Sequence, residues 1–86
     1  MAVEVKTITI ERISMWSVGV RLWFVILGTD GIVYSRWSLS MDKTDEILML
    51  SKVGDVISIV TKGAEGSTPD DTRATIVSAE FGPTTA

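Results

Sequence analysis

Apolar and polar residues alternate with a period of two over most of this chain, the pattern of strands that bury one face. Val3 to Ile13 reads V-E-V-K-T-I-T-I-E-R-I, rich in β-branched residues, with Val3, Val5, Ile8 and Ile10 set against Glu4, Lys6, Thr7 and Thr9. The apolar parity switches between Val5 and Ile8. Such a switch predicts a bulge or bend that lets one long strand serve both ends of a curved sheet. Val18 to Leu27 is a second predicted strand and Ile32 to Leu39 a third. Between them, Gly28-Thr29-Asp30-Gly31 is turn chemistry, with glycines free to take positive φ.

The register of this hairpin follows from the pattern. With Gly28 to Gly31 as the turn, Leu27 faces Ile32, Phe24 faces Ser35 and Leu22 faces Trp37. One face then carries Val20, Leu22, Phe24, Ile26, Val33, Trp37 and Leu39, a core face with Trp37 as its anchor. The other carries Arg21, Trp23, Val25, Tyr34, Arg36 and Ser38, with Trp23 opposite Arg36 and Tyr34 opposite Val25. The chief competitor is a three-residue Thr-Asp-Gly turn with a bulge, which shifts the pairing by one residue. That shift would mix Tyr34, Arg36 and Ser38 with the core set, so the apolar pattern favours the first register.

One helix is expected, over Lys43 to Val53. Asp42 caps its start, Asp45 and Glu46 lie in the first turn, and Ile47, Leu50 and Val53 share a face. Gly54 stands where a left-handed stop is expected. Asp55 to Thr61 and Arg73 to Phe81 are the fourth and fifth strands. The Lys62 to Thr72 segment between them is a loop of small and acidic residues, mobile by composition.

Composition narrows the function classes. The chain has 86 residues, one domain's worth, read as a single unit over 1–82 with a frayed tail at 83–86. Cysteine and histidine are both absent, which removes disulfides, thiolate nucleophiles, the commonest general base and the usual zinc ligands. No phosphate-cradling glycine motif is present, so no catalytic residue, metal site or cofactor is expected. Asp42, Asp45 and Glu46 read as helix-capping acids, and Asp70-Asp71 as a solvated turn. The longest apolar run, Leu22 to Leu27, is six residues. A bilayer span needs about 20, so no membrane segment is expected and the default location is cytoplasmic, a host's cytoplasm if the gene is viral. Net charge is −3, against a simple basic nucleic-acid binder but not against a local basic patch.

The element order β-β-β-α-β-β, with a long bent first strand and the longest loop between strands four and five, resembles the OB-fold, a small five-stranded Greek-key barrel. An SH3-like barrel or other small β-roll is the alternative. The size and strand content are similar to those of small phage-type single-stranded nucleic-acid-binding proteins. That resemblance implies a binding surface on strands two and three, flanked by the loops between strands one and two and between four and five. On this chain it selects Arg21, Trp23, Tyr34 and Arg36, with Trp16 in the first loop and Lys62 and Arg73 at the ends of the second. Trp23 and Tyr34 would stack bases, and the cations would meet phosphate. Trp16 either caps an open barrel end or lies exposed. With few cations, affinity per subunit would be modest and salt-sensitive, so a homodimer is expected. DNA is favoured over RNA. The same residue types also suit a protein partner, as in a small acidic inhibitor or virion accessory protein, or plain sheet packing.

Overall fold

The computed structural model describes residues 3–39 and 41–83. The chain runs β1 (Val3–Val18), β2 (Arg21–Gly28), β3 (Val33–Ser38), α1 (Lys43–Leu50), β4 (Val56–Lys62) and β5 (Thr75–Phe81). The five strands close into a barrel in the order β1-β2-β3-β5-β4. The mainly β class and the β-β-β-α-β-β order expected from the pattern are the ones observed. The expected tail at 83–86 lies outside the described residues from 84 onward.

β1 serves two partners. Val3 to Thr9 pairs with β4, and Ile10 to Val18 pairs with β2. The break between these roles is not at the Val5–Ile8 parity switch, where pairing with β4 runs on unbroken. It is a register shift between Ile10 and Arg12. Ile8 and Ile10 point into the barrel while Val3 and Val5 stay on its outside, so the switch marks exposed valines rather than a bend. β1 also runs beyond Ile13, and a two-residue Gly19-Val20 turn, with Gly19 at φ +60°, leads directly into β2.

The β2–β3 hairpin takes the three-residue turn. Gly28 N–H donates to Ile32 C=O, and Gly31 at φ +82° closes the loop. The pairs are therefore Leu27 with Val33, Ile26 with Tyr34, Phe24 with Arg36, Trp23 with Trp37 and Leu22 with Ser38. This corrects the register expected from the apolar pattern and with it the side each β3 residue takes, although Val33, expected in the core, is buried all the same. Tyr34 and Arg36 face inward, whereas Trp37 and Leu39 are exposed, as is Val20.

Two polar networks make the inverted β3 tenable. Tyr34 is completely buried, yet its hydroxyl donates to Asp30 at 2.9 Å and accepts from Lys6 Nζ at 2.8 Å. Asp30 also accepts the Ile32 N–H, so the turn residue fixes both the loop and the tyrosine. Burial, with Asp30 adding to it against the opposing Lys6, pushes the Tyr34 phenol up to about 12. Lys6 is raised as well: burial alone would lower it, but its bonds to Glu65 and Tyr34 outweigh that.

Arg36 is the second centre. Its Nε donates to Asp45 at 2.9 Å and its Nη2 to Asp42 at 3.1 Å. Its Nη1 donates to the carbonyls of Ile76 at 2.9 Å and Val77 at 3.3 Å. The ring of strands is weakest here, because β3 and β5 share only the parallel pair Ser35–Thr75. Arg36 thus bridges the seam where backbone pairing gives out. Its carboxylate partners sit on the N-terminal turn of α1, where Asp42 and Asp45 form a reciprocal capping box, the capping role expected of them.

α1 ends earlier than the pattern suggests. Ser51 is extended, and its hydroxyl donates to Ile47 C=O at 2.7 Å. Gly54 at φ +93° serves the following turn, in which Asp55 N–H donates to Lys52 C=O. The buried face is Thr44, Asp45, Ile47 and Leu48; Leu50 and Val53, expected inside, are exposed. The Arg36–Asp45 pair turns the helix so that Asp45 rather than Leu50 faces the barrel. The core joins Ile47 and Leu48 to Ile8, Ile10, Phe24, Ile26, Tyr34, Ile57, Ile59, Ala74, Ile76 and Ala79.

The β4–β5 loop is stitched down despite its composition. Val33 N–H donates to Gly66 C=O, Thr72 Oγ1 donates to Val33 C=O at 2.6 Å, and Arg73 N–H donates to Ala64 C=O.

Burial alone would raise Asp45, but Arg36, the Ser38 hydroxyl and the Asp42 N–H hold it below the usual carboxylate range. The stability it contributes is therefore full above the unfolded-state value of about 3.9 and is lost as pH falls through the lower folded-state value. We predict that Asp45→Asn flattens the acid limb of the stability curve measured by urea denaturation below about pH 4. Arg36→Met, which leaves Asp45 buried without its partner, loses about 3–5 kcal/mol at pH 7 in the same assay.

Candidate functional site

The one-residue shift in the hairpin assembles the outer face of β1, β2 and β3. Directly opposed residues on neighbouring strands share a face. Trp16 on β1 lies opposite Trp23 on β2, which lies opposite Trp37 on β3. The three tryptophans of the chain thus form one row across three strands. The rings of Trp16 and Trp23 are stacked with centroids 6.3 Å apart, and those of Trp23 and Trp37 are 6.0 Å apart and tilted. Trp16 is 45% exposed and Trp37 49% exposed, so the row presents aromatic surface to solvent.

A cation is built into the row. The Arg21 guanidinium lies 5.1 Å from the Trp37 ring centroid, a cation–π contact reached diagonally across the β2–β3 pair. Following the register outward, the same face carries Arg12, Ser14 and Val18 on β1, Val25 and Leu27 on β2, and Ser35 on β3. None of these positions is acidic, although the chain as a whole carries a net charge of −3. Four of the carboxylates are committed elsewhere, Asp42 and Asp45 to Arg36, and Asp30 and Glu65 to Lys6. Arg12 and Arg21 are thus the charges among these paired positions, with Glu11 exposed in the bulge beside Arg12.

The structure brings Trp16, Trp23 and Arg21 together and sends other expected residues elsewhere. Trp16 sits within β1 rather than in a loop. Tyr34 and Arg36, expected on this face, are turned inward and held by Asp30, Lys6, Asp42 and Asp45. They are removed from the site, because a guanidinium with all its partners inside the fold has no donor to offer a ligand. Lys62 lies opposite Thr75, and Thr75 opposite Ser35, so Lys62 joins the outer face two strands away from the row. Arg73 stands in the β4–β5 loop and donates to the carbonyls of Asp70 and Thr72 at 3.0 Å.

Sequence reasoning missed Trp37 and Arg12. The signal for Trp37 was the Thr29-Asp30-Gly31 turn, whose final glycine suits the left-handed position of a bulged three-residue loop. For Arg12 it was continuation of β1 past Ile13, which places Arg12, Ser14 and Trp16 on one side.

Among the described residues, no group of three His, Cys, Asp or Glu side chains stands close enough to hold a metal ion. No helix among them is long and apolar enough to cross a membrane. Comparison with protein-family models, with curated proteins and with solved structures gives no match for this chain.

The two faces of the hairpin make opposite demands on stability. We predict that Trp37→Ala costs about 1 kcal/mol or less, since the ring is half exposed. Phe24→Ala, at a fully buried position, costs about 3–5 kcal/mol in the same denaturation assay. A register with Trp37 inside would make both losses large.

Proposed function

We propose that the outer face of β1, β2 and β3 binds single-stranded nucleic acid without sequence preference and without catalysis. The observation that supports this reading is the row Trp16–Trp23–Trp37 with Arg21 against it, at strand-paired positions that carry no carboxylate. Unpaired bases offer flat π-faces to stack on indoles, while Arg12, Arg21 and Lys62 supply the charge for phosphates. Every base has such a face, so stacking gives affinity with little sequence preference. The five-stranded ring with its helix between β3 and β4 is consistent with the OB-fold resemblance, in which strands two and three carry the ligand. The row extends that surface onto the C-terminal half of β1. DNA as the strand, and a cytoplasmic setting, belong to the same reading.

The test uses the intrinsic fluorescence of the row, since no other tryptophan contributes signal. Titration with oligo(dT) at low salt is expected to quench it to saturation. Three phosphate contacts predict a slope of log affinity against log salt of about −2, or a loss of about 15-fold between 50 and 200 mM. Trp23→Ala is expected to lose about 1–3 kcal/mol of binding, while Tyr34→Phe leaves binding unchanged. No quenching at low salt by a folded protein would overturn the proposal and turn the search toward a protein partner for the same face.

A further inference from the structure

The long β1 strand leaves a strand edge open. Its N-terminal half pairs with β4 from Val3 to Thr9, and Thr9 C=O also accepts from Thr29 N–H of the β2–β3 turn. From Arg12 to Val18 it is paired only with β2, and among the described residues no strand lies along its other side. Which groups face that open side follows from one hydrogen bond. Gly28 N–H donates to Ile32 C=O, so the Gly28 backbone faces β3. Backbone groups alternate sides along a strand, so Leu27, Val25, Trp23 and Arg21 face β1. Their partners Arg12, Ser14, Trp16 and Val18 face back toward β2. The N–H and C=O groups of Ile13, Met15 and Ser17 are left pointing away from the sheet.

Open edges are normally guarded by charge, proline or a covering element. Beyond Arg12, and among the described residues, this one has none of these. Ile13 to Val20 reads I-S-M-W-S-V-G-V, without a charged residue or a proline. Met15, Trp16, Val18 and Val20 are 47%, 45%, 61% and 80% exposed. The open positions are also symmetric about Met15. An identical strand laid antiparallel against it sets Met15 opposite Met15 and Ile13 opposite Ser17, so each of these residues exchanges its N–H and C=O with its counterpart. No like charges meet in that register, because Arg12 falls opposite Val18 and Glu11 opposite Gly19.

We propose that this edge is the homodimer interface, formed by antiparallel pairing of the Arg12–Val18 segments of two copies about a two-fold axis at Met15. The pairing is isologous and closes on itself, so it gives a dimer rather than a filament. β1, β2 and β3 of both copies become one continuous sheet. Both tryptophan rows then lie on the same face of that sheet, because directly opposed residues share a face. Ser14 of the second copy comes opposite Trp16, and Arg12 of the second copy comes diagonally beside it, within reach of a long side chain. The second copy therefore adds a cation to the outer end of the row. The interface is read from the edge alone and stands whatever the row binds.

Sedimentation equilibrium of the full chain, up to about 1 mM protein, tests the proposal. The expected mass is that of a dimer, with slow amide hydrogen exchange at Ile13, Met15 and Ser17. Met15→Lys sets two like charges face to face on the axis and is expected to give a folded monomer in which those three amides exchange fast. Met15→Pro removes a central edge donor while sparing the bonds to β2, and is expected to give a folded monomer with fast exchange at the two remaining amides, Ile13 and Ser17, if the lysine variant does not fold. Met49→Lys, on the exposed side of α1, keeps the dimer. A monomeric wild type would overturn the proposal. So would a dimer that survives Met15→Lys with those amides unprotected, or one lost only in Met49→Lys.

Discussion

Arg36 is the side chain on which the closure of this barrel depends. The ring is continuous through long antiparallel ladders everywhere except between β3 and β5, where one parallel pair joins the strands. The guanidinium fills that deficit by donating to two carbonyls of β5, and it reaches two carboxylates on α1 with its remaining donors. A planar group with five donors in a fixed fork suits this geometry, and a lysine could not make the same set of bonds. The arrangement also explains why so short a helix is held in place. α1 is eight residues long, too short to persist by propensity. It is fixed by its capping box and by the arginine that the box embraces.

The inward turn of Arg36 and the outward turn of Trp37 are one event. Strand side chains alternate, so a single residue of register decides both. The Thr29-Asp30-Gly31 loop sets that register locally, and Asp30 and Lys6 satisfy the buried Tyr34 hydroxyl that results. The structure places two polar residues in the barrel and three tryptophans on its surface. Burying Tyr34 and Arg36 is tolerable only because every polar atom on them finds a partner. In exchange the outer face acquires an aromatic row that packing alone does not require. That makes the row the chain's strongest candidate for a binding surface.

Much of the architecture was legible in the residues. Alternation located five strands and their order. Asp42, followed three residues later by Asp45, marked the helix start, and the β2–β3 hairpin was signalled by its glycines. The outward placement of Trp23 and Arg21 was legible too, whereas Trp16, expected in a loop, lies within β1. Tyr34, Arg36 and Trp37 were misread for a physical reason. An apolar pattern ranks a tryptophan as core and an arginine as surface, because it values each side chain by transfer from water without partners. The partners of Arg36 lie in α1 and β5, 6 to 41 positions away along the chain. The same limit explains Leu50 and Val53, which share an apolar stripe with Ile47 but are exposed because Asp45 docks on Arg36.

The sequence by itself determined the class of fold, the order of its elements, the capping of its helix and the absence of histidine and cysteine chemistry. These follow from local periodicity, backbone preference and composition, which need no knowledge of what lies across the sheet. Only the tertiary structure decided which face of β3 is inside, how α1 is turned, and that three tryptophans from three strands stand in one row. Those outcomes depend on buried charges finding partners remote in sequence, and the energy of such a pair exists only once the chain has folded to bring it together.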